Sequence, residues 1–198
     1  MKEVPHNTIS FTIFKLFYLM DVESIINQTK KWISDVIVGC NFCPFAGKVV
    51  KQQTIYYQVE KSGEMVTCLH AFLQAMIRLD VNPSIETSFL IFPNSFADFG
   101  DYLNLVTLAE KLILDNDYEG IYQVASFHPL YQFEGSKDDD AANYTNRSVY
   151  PMLHLLREES IDRALEHFKT PENIPETNIN FAREKGLVYM KLLRDNCL

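Results

Sequence analysis

The stretch Ser126–Glu158, SFHPLYQFEGSKDDDAANYTNRSVYPMLHLLRE, decides how this chain is read. It leaves a strand-like run, crosses a long polar segment and enters an apolar run that carries a histidine and an arginine. Two histidines, two arginines, two asparagines and an acidic run fall within it, with little apolar periodicity. A connection this long inside a compact domain is uncommon unless it is functional or disordered. Phe127, Tyr131, Phe133, Tyr144 and Tyr150 argue against disorder, because disordered segments are poor in aromatics. The segment is therefore the first place to look for a site.

Upstream, strand and helix patterns alternate. Asp21–Val38 carries Ile25, Ile26, Trp32, Ile33, Val36 and Ile37 at helical spacing and ends at Gly39. Residues 40–47 read as a loop. Thr54–Glu60 (TIYYQVE) reads as a strand, Glu64–Asp80 as a helix, and Glu86–Phe92 (ETSFLIF) as a second strand. Ser95, with Asp98 three residues on, resembles a capping pattern for a helix running to about Asn116. Ile121–Phe127 (IYQVASF) is a third strand. Two helices close the chain, Pro151–Phe168 and about Asn178–Leu193, linked by a segment with Pro171 and Pro175. This order predicts an α/β fold: βαβαβ units building a mostly parallel sheet of three or more strands, flanked by helices. A ferredoxin-like α+β arrangement is the alternative, and it needs a hairpin that the sequence does not display. Residues 1–19 read as an N-terminal extension and 20–198 as a single α/β domain.

Composition narrows the function classes. Eighteen basic against 26 acidic residues give a net charge of −8, which argues against nucleic acid as partner. The hydrophobic fraction of 47% suits a globular core, and no apolar run reaches the length of a membrane span. Four cysteines, Cys40, Cys43, Cys68 and Cys197, do not make a secreted disulfide framework in a chain of this size, so the cytoplasm is the expected compartment. No motif specifies a cofactor or an oligomeric state.

On a helix from Pro151, Arg157 falls in the middle of the apolar face and His154 near its edge, with Glu158 beside His154. Two readings follow: a buried Arg157–carboxylate bridge with a satisfied core histidine, or an anion pocket at the first turns of the helix. His128, at a strand end before Pro129, is either a general acid–base group or a tie for the loop. His154, Glu158 and His128 are scattered ligand types and do not form a metal motif. Cys40-x-x-Cys43 reads as a redox or zinc half-site without its second half, and Cys43 alone as a nucleophile or a buried small residue. Asp138, Asp139 and Asp140 read as a solvated acidic turn.

Gly39-Cys40-Asn41-Phe42-Cys43-Pro44-Phe45-Ala46 resembles a GxNxCPFA element. Together with Ser126–Pro129, Asp139-Asp140, Asn143–Ser148 and Tyr150–Ser160, it makes the chain resemble the bacterial family catalogued as domain of unknown function 1415, over about Asp21–Leu193. The resemblance implies a shared fold and no particular activity. Cys40 stands where the pattern leads one to expect an apolar residue, usually leucine, which weakens the redox reading. Ala141 and Val149 stand where prolines are expected.

The combined expectation is a cytoplasmic enzyme acting on a small anionic or polar metabolite. His128, His154 and Cys43 are its candidate catalytic groups, and Asn143, Asn146, Arg147, Arg157 and Glu158 its candidate substrate contacts. The alternatives are a ligand- or partner-binding module that uses the same loop, and a thiol redox protein built on Cys40 and Cys43.

Overall fold

The computed structural model describes residues 21–166 and 170–198; the extension expected over residues 1–19 lies outside them. Helix α1 covers residues 21–32 and runs on into a π-helical turn, Ile33–Val38. Gly39 closes that turn, its N–H reaching Ser34 O at 2.9 Å. A Cβ at Gly39 would lie 2.3 Å from Asp35 O, so the requirement for glycine is close approach of the backbone. Helix α2 (Ala46–Gln52) occupies part of what reads as loop in the sequence. Strand β1 (Ile55–Val59), helix α3 (Met65–Val81), strand β2 (Thr87–Ile91), helix α4 (Phe99–Asp115) and strand β3 (Tyr122–Phe127) follow as expected within a residue or two. The cap of α4 is Asp98, whose side chain accepts from Asp101 N at 3.0 Å; Ser95 plays no part in it.

The expectation of a mostly parallel sheet fails at Met152–Arg157. These residues form strand β4 rather than the start of a helix, and helix α5 is only Glu158–Leu165. Among the described residues the sheet has four strands in the order β1-β2-β4-β3. β1 and β2 are parallel, whereas β4 is antiparallel to both of its neighbours, so two of the three pairings are antiparallel. The element order βαβαββ also differs from the βαββαβ of a ferredoxin-like fold. The physical reason is burial. A strand between two partners and covered on both faces needs apolar residues at consecutive positions, so MLHLLR loses the alternation that marks a strand. The last helix of the sequence reading is two, α6 (Ile174–Lys185) and α7 (Leu187–Asp195), broken at Gly186 with φ 82° and ψ 159°. Glycine alone adopts that backbone region readily.

Both crossovers step the same way across the sheet, and α3 and α4 accordingly share one face. Their core joins Phe72, Met76, Leu79, Tyr102 and Leu105 to Leu90, Leu153 and Leu155 of the sheet. Tyr102 reaches from α4 to the β3–β4 seam: its hydroxyl donates to Met152 O at 2.6 Å and accepts from Phe127 N at 2.9 Å. The other face carries α1, α6 and α7, packed with Trp32, Ile33, Val36, Phe89, Ile91 and Met152. Among the described residues no helix is long and apolar enough to cross a membrane.

Candidate functional site

The strand assignment separates two residues that a helix would have kept together. Side chains alternate along β4, so Met152, His154 and Leu156 face α1, whereas Leu153, Leu155 and Arg157 face α3 and α4. The helical pocket is therefore corrected to a strand on which the two side chains leave opposite faces, although Arg157 still lines part of the cleft that holds His154.

Arg157 caps the end of α3. Its Nη2 donates to Leu79 O at 2.5 Å and to Ile85 O at 3.2 Å, and its Nη1 to the Tyr122 hydroxyl at 3.2 Å. Cations near the last carbonyls of a helix are favoured by the unsatisfied acceptors and the dipole there. Tyr122 in turn donates to Asp80 at 2.6 Å. Glu158 opens α5, its N–H donating to Ile121 O at 3.0 Å.

His128, Asn143, Asn146 and Arg147 gather in the connection between β3 and β4. His128 is buried between Phe99 and Tyr102; its Nε2–H donates to Phe96 O at 2.7 Å and its Nδ1 accepts from Leu130 N at 3.0 Å. Burial lowers its pKa, and both nitrogens are occupied by backbone. Asn143, fully buried, accepts from Phe133 N and the Ser136 hydroxyl and donates to Lys137 O and Asp138 O. Asn146 accepts from the Thr145 hydroxyl. Arg147 donates to Tyr131 O at 2.8 Å and to the Asp138 carboxylate at 2.6 Å, and its own carbonyl accepts from Trp32 Nε1. The acidic run is largely engaged: Asp138 pairs with Arg147, and Asp140 caps the 3-10 turn Ala141–Thr145 and binds Arg183 at 2.7 Å. Hydrogen bonding to Arg183 holds the Asp140 carboxyl below the usual carboxylate range. All these polar groups satisfy one another and the loop backbone.

A cleft of about 690 Å³ lies on the opposite side of the sheet from α3 and α4. Its floor is a cross-strand row. Tyr57 pairs with Phe89, Phe89 with His154, and His154 with Ala125. Tyr57 and Phe89 stack at 6.0 Å, and Phe89 and His154 at 3.9 Å with their planes 10° apart. The row of rings ends at Ala125, whose small side chain leaves the space open above β3. Ile33 and Ile37 of the first helix, the Cys43–Val49 segment, and Ile161 and Ala164 of α5 form walls, and Lys48, Glu86, Arg157, Arg163 and Glu166 add charge.

His154 is the polar group at the centre of the floor. Its Nε2 lies 2.6 Å from the Thr87 hydroxyl, and that hydroxyl donates its one proton to Leu155 O at 2.6 Å. Nε2 must then carry the ring proton, and Nδ1 keeps its lone pair, with no partner among the described residues. Burial pushes the pKa of the ring down to about 3 with no anionic neighbour to offset it, so the imidazole is neutral at pH 7. Cys43 lines the same cleft. Burial raises its thiol pKa, and the nearby backbone N–H groups of Phe45 and Ala46 offset part of that rise. Cys40 and Cys43 are both free thiols.

Of the residues singled out in the sequence, the structure brings Cys43, His154 and Arg157 to one cleft and keeps His128, Asn143, Asn146 and Arg147 in the loop. Sequence reasoning passed over Thr87, Phe89, Gln123 and Ala125, which line the cleft and read there as ordinary strand residues. The one available signal was Ala125, a small side chain in the strand run IYQVASF. Among the described residues no three histidine, cysteine or acidic side chains are grouped to hold a metal ion.

No curated protein and no solved structure matches the chain. The family model described as protein of unknown function, DUF1415, matches residues 24–191, which take in the sheet, the cleft and the polar loop, and the chain belongs to that family.

Proposed function

We propose that the chain acts on a compact organic molecule bound over the sheet, with His154 Nδ1 as its hydrogen-bond acceptor. The observation that carries this reading is the unpartnered Nδ1 of a neutral, ring-stacked histidine in a cleft with apolar walls. Small-molecule sites combine apolar walls with few oriented polar groups. The charged groups along the cleft, Lys48, Arg157 and Arg163 against Glu86 and Glu166, leave one formal positive charge. That balance, with mostly apolar walls, suits an apolar molecule with a polar or singly anionic head. A neutral imidazole held near pKa 3 keeps its Nδ1 lone pair free at pH 7, which suits it to accept a hydrogen bond from a bound molecule rather than to remove a proton. A non-catalytic binding module is the second reading; it is favoured by the commitment of His128, Asn143, Asn146 and Arg147 to internal bonds.

Ligand-observed NMR titration with indole and indene tests the site. The two have nearly the same shape, but only indole carries an N–H for Nδ1. Indole is expected to bind about tenfold more tightly, the worth of one hydrogen bond, and His154→Leu to abolish the difference. Equal affinities in the wild type, or a preference that survives His154→Leu, would remove His154 from the site. Turnover of a bound compound by the wild type separates the enzyme from the binding module.

A further inference from the structure

The cross-strand row on the floor of the cleft stops one place short of the sheet's edge. Tyr57 on β1, Phe89 on β2 and His154 on β4 fill three places, and the fourth, on β3, is Ala125. The planes of Tyr57 and Phe89 are 11° apart and those of Phe89 and His154 10° apart, so the three rings run parallel. Phe89 covers one face of the imidazole. The other face looks along the row to the place above Ala125, and both His154 and Ala125 are only half-buried. Phe127, two residues along β3, does not complete the row: its ring lies 6.2 Å from the imidazole, tilted by 36°, and packs edge-on against Trp32 at 5.1 Å. Ile161 and Ala164 of α5 line the same cleft, and neither is fully buried. A ring standing one strand spacing from His154, about 4.8 Å, falls within the roughly 4.5–7 Å separation of stacked aromatic pairs. The cleft of about 690 Å³ is ample, since a cavity on the order of 150 Å³ holds benzene.

We infer that the ligand of this cleft carries a planar aromatic ring, which takes the fourth place of the row against the open face of His154, and that Ala125 is the residue that selects it; this rests on the cleft being the small-molecule site. Selection works through shape. The methyl group of Ala125 lies beneath a flat ring, whereas a larger side chain there would occupy the place itself. A saturated ring is puckered and offers hydrogens in place of a π-face, so it gains the burial without the stack. A hydrogen-bond donor on the rim of the aromatic ring, or on a short arm from it, is what Nδ1 of His154 lacks.

The probes are benzyl alcohol and cyclohexylmethanol, each titrated into the whole chain and followed by NMR. They carry the same hydroxymethyl arm and differ in the ring alone. The saturated compound has the larger apolar surface, so burial by itself favours it. The expected result is the reverse: benzyl alcohol binds about two- to tenfold more tightly, the worth of one aromatic pair, and its ring protons show NOEs to the Ala125 methyl and to the His154 ring C–H. Ala125→Phe, with its fold checked by circular dichroism, puts the chain's own ring in the fourth place and should abolish the binding. Equal or inverted affinities in the wild type would overturn the inference, and so would NOEs that place the ring away from Ala125; neither observation needs a variant to fold. A folded Ala125→Phe that binds benzyl alcohol as the wild type does would overturn it too. Indole preferred over indene, with no preference for benzyl alcohol, would sink the aromatic class and keep the small-molecule site; no binding of any of the four compounds would sink both.

Discussion

Replacing Arg157 with methionine keeps the apolar stem and deletes the guanidinium. In the structure that group serves two backbone carbonyls, Leu79 O at 2.5 Å and Ile85 O at 3.2 Å, and touches the Tyr122 hydroxyl at 3.2 Å. A hydrogen bond from a charged donor contributes about 1.5–3 kcal/mol, and a buried acceptor left without its donor loses about 1–3 kcal/mol. Two carbonyls at roughly 2 kcal/mol each give a loss of about 4 kcal/mol, the Tyr122 contact being the weakest of the three. For a chain of 150–250 residues each kcal/mol moves Tm by about 2–4 °C, so the expected drop is about 8–16 °C. Scanning calorimetry on wild type, Arg157→Met and Arg157→Lys measures it. The lysine variant should fall between the other two, because a single ammonium does not reproduce the fork that spans both carbonyls. A drop under about 2 °C in Arg157→Met would refute the capping argument and return Arg157 to the search for an anion site.

Asn143→Ala strips the hydrogen-bond partners from Phe133 N and Lys137 O, and a loss of about 2–4 kcal/mol is expected, with faster limited proteolysis within residues 128–151; unchanged cleavage there would show that the loop is held by other contacts. Stability should also fall in acid through His154. Its folded pKa of about 3 lies below the unfolded value near 6.5, so the unfolded ring takes up a proton first and stability is lost as pH falls from 6.5 toward 3. His128 is shifted the same way by burial and adds to the loss. Between pH 7 and 5 the His154 part amounts to about 2 kcal/mol. Urea unfolding of wild type and His154→Leu at the two pH values isolates it, and equal losses in both proteins would contradict a neutral buried imidazole.

The parts of the fold legible in the sequence are those with one dry and one wet side. Helices α3 and α4 and strands β1 to β3 show their periods because solvent or a neighbouring layer imposes them. β4 was not legible for the opposite reason: Met152, Leu153 and Leu155 are all buried, and a run that is apolar on both faces has no period to read. That one misassignment propagated to the site. A spacing of three residues places His154 and Arg157 together on a helix and apart on a strand. The polar density of Ser126–Glu158 was real, but its cause is architectural. A connection that folds back over the sheet buries backbone groups, and Asn143, Arg147 and His128 supply their partners. The cleft was hidden because it is made by an absence of bulk at Ala125 and by residues from four strands and three helices.

The place of β4 has a consequence for how the chain reaches this state. It is the last strand along the chain and yet lies between two that precede it. A growing polypeptide that has emerged only through Pro151 holds β2 and β3 with nothing to join them. The gap left for the incoming strand is two strand spacings, about 10 Å. Both flanking edges stay open to any passing extended segment until residues 152–157 arrive. The seam closes from the middle outward, and β4 is the keystone that locks it.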